Sequence, residues 1–224
     1  MRRAVVIVAG GTGIRMGGEV PKQYLELAGK SLIVHALEKF LQFDPRMEVV
    51  VVMAPSHRDH WDAISDKHEF LSGITVVNGG ARRFDSVKNG LNHVEDGLVV
   101  GIHDAVRPLV SQGTLERSYS AAVRWGSGVP VIALDDSVRI LDGAEGSAGV
   151  DRTKLRRVQT PQVFQSGLIK QAYNQQTNPA FTDDASVYES HFGEVKLVEG
   201  NRENIKITTP ADLKLAMALI QSGD

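Results

Sequence analysis

The chain has 224 residues, of which 42% are hydrophobic and 23% are charged, and its formal net charge is -2. Such a composition is typical of a globular protein and lacks the basic excess of a broad nucleic-acid-binding surface. The sequence contains no cysteine, which excludes disulfides, thiolate metal sites and cysteine nucleophiles and fits a reducing compartment. We therefore expect a cytoplasmic protein that does not bind nucleic acid and whose anion sites are local.

The N-terminus combines a basic tip with an apolar run, as a signal peptide does. However, glycines end the run after residues 4–9, and no other stretch approaches the roughly 18 apolar residues that a membrane span needs. The sequence therefore predicts that this run is the first buried strand and that the protein does not associate with a membrane.

Apolar runs of strand length alternate with segments of helical periodicity along the first half of the chain. The strand-like runs are "RAVVIVA", "MEVVVVMA", "GITVVN" and "DGLVVGIHD", and helices are predicted from residue 32 after the capping residue Ser31, within 56–70, and over "FDSVKNGLNHV". This alternation is typical of strand–helix units around a mostly parallel sheet. We expect one α/β domain over residues 1–224.

The second half begins with a predicted helix over 114–124 and the strand "GVPVIAL". Residues 135–160, with the tip "DGAEGSAG", have the pattern of a projecting β-hairpin, which is called the arm below. Because a hairpin of this length buries little on its own, we expect the arm to pack against a second subunit. A helix from Ser166, the strand "EVKLVEG" and a final helix from Pro210 complete the chain.

The glycine-rich loop "AGGTGIRMGG" directly follows the first strand. It lacks the third glycine of a dinucleotide fingerprint, since residue 16 is Met, and it does not match a P-loop. Bare backbone amides after a strand can nevertheless surround a phosphate. Arg15 and Lys22 add a guanidinium fork and a point charge, so the stretch predicts a nucleoside triphosphate site. The alternative is a glycine-rich turn with two solvated cations.

Two further motifs fall at similar places. In "IHDAVRP", Asp104 ends a predicted strand, where it could hold Mg²⁺ between phosphates, or it could simply pair with Arg107. In "GGARRFDSV", a glycine turn precedes a helix, so its backbone and Ser86 could contact a base or ribose. From the pattern alone, Arg82 and Arg83 are predicted to be solvated.

Six motifs occur in the order seen in one family. They are "AGGTGIRMG" with "PKQY", "GGARRFDSV", "HDAVRP", "DRTKLRRVQTPQ", "TDDAS" and "NIKIT", and together they span essentially the whole chain. On these motifs the sequence resembles the 2-C-methyl-D-erythritol 4-phosphate cytidylyltransferases of non-mevalonate isoprenoid biosynthesis. The resemblance implies a Rossmann-like, GT-A-like nucleotidyltransferase fold, the substrates CTP and methylerythritol phosphate, Mg²⁺ or another divalent cation, and a homodimer formed through the arm.

The resemblance also implies roles for individual residues. The implied catalytic residues are Arg15, Lys22, Lys206 and Asp104, with Asp104 also close to the metal. The implied CTP-binding residues are Ala9, Gly10, Gly11, Thr12, Gly13, Gly80, Ala81, Arg83 and Ser86. The implied acceptor-binding residues are Arg107, Ser137, Arg152, Thr160 and Thr182, with Arg152 reaching across from the arm of the other subunit. Two departures are Gly10, where the family usually has a second alanine, and Ser137, where threonine is usual.

The implied reaction is an in-line attack by an acceptor phosphate oxygen on the α-phosphorus of CTP, with release of pyrophosphate and no covalent enzyme intermediate. Three alternatives stay open at this point. The chain could be a cytidylyltransferase for another polyol phosphate such as ribitol 5-phosphate, or a nucleotide-binding protein without turnover. The third, an oxidoreductase, is disfavoured by the failed dinucleotide fingerprint.

Overall fold

The computed structural model of the protein describes residues 1–11, 20–143 and 146–222. The strands are β1 (Arg3–Ala9), β2 (Glu26–Leu27), β3 (Lys30–Ser31), β4 (Glu48–Met53), β5 (Thr75–Asn78), β6 (Val99–Asp104), β7 (Ser127–Ala133), β8 (Val138–Asp142), β9 (Gly146–Val150), β10 (Arg156–Val158), β11 (Gln162–Gln165) and β12 (Leu197–Glu199). The helices are α1 (Leu32–Phe43), α2 (Arg58–Ser65), α3 (Arg83–Leu91), α4 (Gln112–Trp125), α5 (Ser166–Tyr173), α6 (Asp184–Phe192) and α7 (Pro210–Gln221).

The main sheet has the strand order β10-β7-β11-β6-β1-β4-β5, and β12 pairs with β7. Strands β6, β1, β4 and β5 run parallel to one another, whereas β11 is antiparallel to both β6 and β7. The predicted fold class, an α/β fold with a mostly parallel central sheet, is confirmed. Strand β11 was not predicted, because its four residues stand between the arm and the helix that begins at Ser166.

Helices cover both faces of the sheet, and successive side chains of a strand point to opposite faces. Ala4 and Val6 of β1 pack with side chains of α3 and α5, while Val5 and Ile7 pack with side chains of α1 and α4. Helix α3 lies so close to the sheet that a Cβ added at Gly90 would approach Val6 Cγ1 to 2.6 Å. The apolar run of β1 is therefore that of a fully covered central strand.

Two helices begin where the sequence predicts, but the predicted capping hydrogen bond is missing in one of them. Helix α1 begins after Ser31, as predicted, but the Ser31 hydroxyl makes no capping bond and is buried without a hydrogen-bond partner among the described residues. Helix α7 begins at Pro210 after Thr209, whose hydroxyl accepts from the Asp212 amide. Proline at the first helical position thus has the role expected of it.

The predicted arm divides into two parts. Strands β8 and β9 form a two-stranded antiparallel hairpin that is separate from the main sheet, and both strands are almost entirely exposed. Residues 156–158 instead form β10 of the main sheet, and Thr160 is buried. The part of the arm that forms its own sheet is therefore shorter than residues 135–160. Among the described helices, none combines the length and apolar character needed to cross a membrane.

Candidate active site

The two central strands β1 and β6 bring the predicted loops together at one edge of the sheet. They pair in parallel with Val8 opposite Asp104, so both strands reach this edge with their carboxyl ends, where ligands bind in open α/β sheets. A cavity of about 380 Å³ opens here. The described residues that line it are Val8, Ala9, Gly10, Gly11, Lys22, Gln23, Gly80, Ala81, Arg82, Arg83, Ser86, Asp104, Ala105, Val106 and Lys206.

The Asp104 carboxylate is the centre of a cluster of cations, called the Asp104 cluster below. Its Oδ2 lies 3.0 Å from Lys206 Nζ and 3.3 Å from Arg107 Nε, and its Oδ1 lies 4.0 Å from an Arg83 amino nitrogen. The pairing with Arg107, one of the two interpretations of this motif, is therefore present, but Lys206 and Arg83 join it.

The charge state of Asp104 follows from its surroundings. Burial opposes ionisation of its carboxyl, but the positive charges of Lys206, Arg83 and Arg107 outweigh burial and hold the pKa of Asp104 far below its usual value. Asp104 is therefore ionised at neutral pH. One buried carboxylate thus fixes cations from three separate segments of the chain.

Arg83 is held by a second carboxylate that sequence reasoning missed. Both guanidinium amino groups donate to Asp184, at 2.8 and 2.7 Å, and Tyr173 Oη donates to the same carboxylate at 2.6 Å. Asp184 is fully buried at the start of α6. The pattern-based prediction that Arg83 is solvated is wrong, because a buried carboxylate 101 residues away in sequence neutralises it. Arg82 is the exposed member of the pair and bonds Asp85.

A chain of hydrogen bonds behind Asp104 fixes its main chain. The Asp104 amide donates to Thr160 Oγ1 at 3.1 Å, and Thr160 Oγ1 lies 3.0 Å from His103 Nδ1. His103 Nε2 lies 3.0 Å from the Arg107 carbonyl, which can only accept, so Nε2 carries the proton and Nδ1 accepts from Thr160. Burial lowers the pKa of His103 to about 4, so the ring is neutral at physiological pH. The Thr160 hydroxyl is thus already engaged with Asp104 and His103.

The start of the glycine-rich loop is held by Gln23, next to Lys22. The Gln23 amide donates to the Ala9 carbonyl at 2.7 Å and lies 3.1 Å from His57 Nδ1. Both Gln23 and His57 are buried, and burial lowers the pKa of His57. A neutral His57 can therefore accept the second amide hydrogen. No sequence pattern pointed to this contact, because it joins three separate segments.

The second glycine loop is held in shape by contacts within its own segment. A Cβ added at Gly80 would lie 2.4 Å from Asp85 Cβ, so this position requires glycine. The Gly80 amide donates to Ser86 Oγ at 3.0 Å, and that hydroxyl donates to the Arg82 carbonyl at 3.1 Å. Ser86 therefore shapes the loop that lines the cavity.

The structure brings together most of the residues that the resemblance implied. Those that line the cavity are Ala9, Gly10, Gly11, Lys22, Gly80, Ala81, Arg83, Ser86, Asp104 and Lys206, and Arg107 is bonded to Asp104. Thr182 lines a small neighbouring cavity of about 50 Å³ with Arg83. Thr12, Gly13 and Arg15 lie outside the described residues.

Two implied acceptor residues stand apart from this cluster. Ser137 and Arg152 are exposed at the base of the β8–β9 hairpin. Arg152 Nη1 bonds the Asp135 carbonyl, and Arg202 makes two bonds of 2.6 and 2.9 Å to the Asp135 carboxylate. Within the described part of the chain, neither Ser137 nor Arg152 forms a hydrogen bond or ion pair with the Asp104 cluster.

A divalent cation fits this site only in combination with a substrate. No three His, Cys, Asp or Glu side chains among the described residues come close enough together to hold a metal ion. Mg²⁺ at nucleotide sites is commonly held by one or two carboxylates together with substrate phosphates. Asp104 Oδ1, 4.0 Å from the nearest Arg83 nitrogen, is the oxygen suited to that role, because Oδ2 is occupied by two cations.

The chain is similar to known proteins over nearly its whole length. The family model described as 2-C-methyl-D-erythritol 4-phosphate cytidylyltransferase matches residues 3–222. Proteins of that name from Bacteroides fragilis and Bacteroides thetaiotaomicron are 49% and 46% identical to this chain over 220 residues, covering 98% of it and 100% of each relative. A crystal structure of 4-diphosphocytidyl-2C-methyl-D-erythritol synthase from Anaerococcus prevotii superposes with a TM-score of 0.83 at 26% identity and covers 98% of both chains. The resemblance read from the six motifs is therefore confirmed, and the chain belongs to the 2-C-methyl-D-erythritol 4-phosphate cytidylyltransferase family.

Proposed function

We propose that this chain transfers CMP from CTP to 2-C-methyl-D-erythritol 4-phosphate, forming 4-diphosphocytidyl-2-C-methyl-D-erythritol and pyrophosphate. The observation that carries the proposal is the cavity at the carboxyl ends of β1 and β6. There Lys22, Arg83 and Lys206 line the same space as Asp104 and the bare backbone of two glycine loops. A volume of about 380 Å³ is within the range of small-ligand sites.

The nucleotide is bound mainly by backbone in this proposal. Ala9, Gly10, Gly11 and Gly80 line the cavity without large side chains, so phosphate and base can approach the backbone closely. Lys22 supplies a point charge for the triphosphate. Thr12, Gly13 and Arg15 contribute to the same loop according to the family resemblance.

The reaction balances without a covalent enzyme intermediate. A phosphate oxygen of the acceptor forms a bond to the α-phosphorus of CTP, the bond from that phosphorus to the bridging oxygen of the leaving group breaks, and pyrophosphate departs. Negative charge develops on the oxygens around the α-phosphorus, and Lys22 and Lys206 stand ready to stabilise it. Because Asp104 fixes Lys206 before the substrate arrives, this part of the site is electrostatically preorganised.

Asp104 would hold Mg²⁺ together with the substrate phosphates, and the bound ion would neutralise part of the triphosphate charge. Arg107 and Thr182 face the acceptor phosphate in this proposal, and Arg107 is buried enough to be held in one orientation. Thr160 contributes by holding Asp104, because its hydroxyl accepts a hydrogen bond from the Asp104 amide and also bonds His103.

We also propose that the protein is a cytoplasmic homodimer joined through the arm. The exposed hairpin carries Ile140 and Leu141 with 62% and 79% of their surface accessible. A lone two-stranded hairpin is marginally stable in water, so a second copy covering these side chains would stabilise it. Arg152 of each arm would then complete the acceptor site of the other chain.

The experiment that tests the function is a substrate panel. Pyrophosphate release is measured with CTP, ATP, GTP or UTP, each combined with 2-C-methyl-D-erythritol 4-phosphate or ribitol 5-phosphate in the presence of Mg²⁺. We expect release only with CTP and the methylerythritol phosphate. Equal release with ribitol 5-phosphate would contradict the proposed acceptor. CTP binding without pyrophosphate release from any pair would instead favour a nucleotide-binding protein without turnover.

A further inference from the structure

Asn204 is a buried side chain behind the cavity and lies two residues before Lys206. Neither the motif patterns nor the family resemblance gave Asn204 a role. It is completely buried in the segment between β12 and α7. Its Nδ2 donates to the Thr160 carbonyl at 2.8 Å. Its own main-chain carbonyl accepts from Arg107 Nη1 at 2.9 Å and from Gln159 Nε2 at 3.2 Å.

These contacts close a ring of hydrogen bonds that includes Arg107, the arginine proposed to face the acceptor phosphate. The Asp104 amide bonds Thr160 Oγ1, the Thr160 carbonyl bonds Asn204 Nδ2, the Asn204 carbonyl bonds Arg107 Nη1, and Arg107 Nε bonds Asp104 Oδ2. Each of the four residues supplies two different groups to the ring. The orientation of the Arg107 guanidinium is therefore fixed at two points, one of which is the Asn204 carbonyl.

Only one end of the Asn204 side-chain amide is satisfied by a hydrogen bond. The Thr160 carbonyl can only accept, which fixes Nδ2 toward it. The other amide atom, Oδ1, is buried without a hydrogen-bond partner among the described residues. Because a buried polar atom without a partner is destabilising, an amide is a poor choice here on stability alone.

Lys206 bonds Asp104 Oδ2 of the ring, but the backbone next to Lys206 also has an anchor outside the ring. The amide of Ile207, the next residue, donates to the Val106 carbonyl at 2.9 Å. Loss of the Asn204 side chain opens the ring at Thr160 but leaves this backbone contact in place. The effect should therefore fall on Arg107 and the acceptor, and spare the nucleotide.

We infer that Asn204 is a positioning residue that aims Arg107 at the acceptor phosphate, an inference that rests on the proposed function. Asn204→Ala should lower kcat/KM for methylerythritol phosphate on the order of 10²-fold, the cost of misplacing a substrate-holding group by about 1 Å. The affinity for CTP measured without acceptor should stay within about twofold, as for an independent site.

The deciding experiment is a double-mutant cycle between Asn204 and Arg107. Pyrophosphate release and CTP calorimetry are measured for wild type, Asn204→Ala, Arg107→Ala and the double variant. If Asn204 acts through Arg107, the double variant is no worse than Arg107→Ala, within about twofold. Additive losses, or equal losses of CTP affinity and acceptor efficiency, would overturn the inference.

Ser166→Ala is the matched control for a lost buried hydrogen bond. Ser166 is also fully buried, and it accepts from the Leu98 amide at 3.1 Å just before β6, so it lies at the end of that strand opposite Asp104. It should lose stability and keep acceptor kcat/KM; an Asn204→Ala enzyme that behaves in the same way would refute the role. If Asn204→Ala does not fold, Asn204→Ser takes its place in the cycle. A wild-type enzyme that binds CTP but releases no pyrophosphate overturns the proposed function instead.

Discussion

The Asp104 cluster and the β8–β9 hairpin are two parts of one proposed site that are built in opposite ways. Asp104 is buried and bonded to side chains or backbone from several segments, so its position is set by the fold of a single chain. The hairpin forms its own two-stranded sheet, and its apolar side chains Ile140 and Leu141 face solvent.

Preorganisation of the cluster comes from the folding of a single chain. In the cluster, the entropy cost of fixing each cation is met during folding, because the carboxylates of Asp104 and Asp184 hold Arg83, Arg107 and Lys206. Arg152, at the base of the hairpin, bonds only the carbonyl of its exposed neighbour Asp135 within the described residues. We therefore expect substitutions in the cluster to damage catalysis strongly, and substitutions in the arm to act on acceptor binding.

The largest effect is expected from Asp104→Asn. Removal of the central charge takes away the carboxylate that pairs with Arg107 and Lys206, so kcat should fall by roughly 10²–10³-fold, as for loss of a preorganised electrostatic group. The measurement is steady-state pyrophosphate release. Asp96→Asn is the control, because Asp96 is 82% exposed and pairs with Lys170 far from the cavity. A kcat for Asp104→Asn close to that of the control would remove Asp104 from the mechanism.

An intermediate effect is expected on stability at mildly acidic pH, through His103 behind the cluster. Burial lowers the pKa of His103 to about 4, whereas the ring in the unfolded chain titrates near 6.5, so the unfolded state takes up the proton first as pH falls. The free energy of unfolding should therefore fall between pH 7 and 5, with about 2 kcal/mol of that loss due to His103.

The measurement for His103 is urea unfolding at pH 7, 6 and 5, for wild type and for His103→Gln, which cannot titrate. The contributions of other groups cancel in the comparison of slopes. We expect the variant to lose less stability between pH 7 and 5 than the wild type. Parallel slopes would mean that His103 is not held neutral behind Asp104.

The smallest effect is expected from Arg152→Ala in the arm. An exposed arginine contributes little to stability, so the unfolding midpoint should stay unchanged while the acceptor KM rises by roughly tenfold, the equivalent of about 1.4 kcal/mol of lost phosphate contact. Arg139→Ala is the control on the same hairpin, since Arg139 bonds Ser147 of the paired strand. A KM for Arg152→Ala equal to that of the control would separate the arm from the acceptor site.

Local sequence patterns were enough to predict where the cavity lies. The apolar runs of β1 and β6 located the strands, and the glycines and Asp104 at their ends then had to meet, since parallel strands share a carboxyl edge. The family resemblance added Lys206, which no local pattern singled out.

Contacts between segments that are far apart in the chain could not be predicted from local sequence patterns. Asp184 reaches Arg83 across 101 positions and Asn204 reaches Arg107 across 97, and nothing in either local stretch marks the partner. The interpretation of Arg83 as solvated failed for this reason. Thr160 looked like an arm residue because β11, which follows it in the chain, is too short to be recognised, whereas its hydroxyl lies against Asp104.

Subunit complementation is the sharpest test of a shared site, because it asks for catalysis by residues of both regions. Asp104→Asn and Arg152→Ala proteins are each assayed alone for pyrophosphate release from CTP and methylerythritol phosphate, at an acceptor concentration below KM, and then mixed under conditions that exchange subunits. In a mixed dimer, the intact cluster of one chain meets the intact arm of the other, so we expect the mixture to exceed the mean of the separate activities. A mixture that shows only that mean would contradict a site shared between two chains.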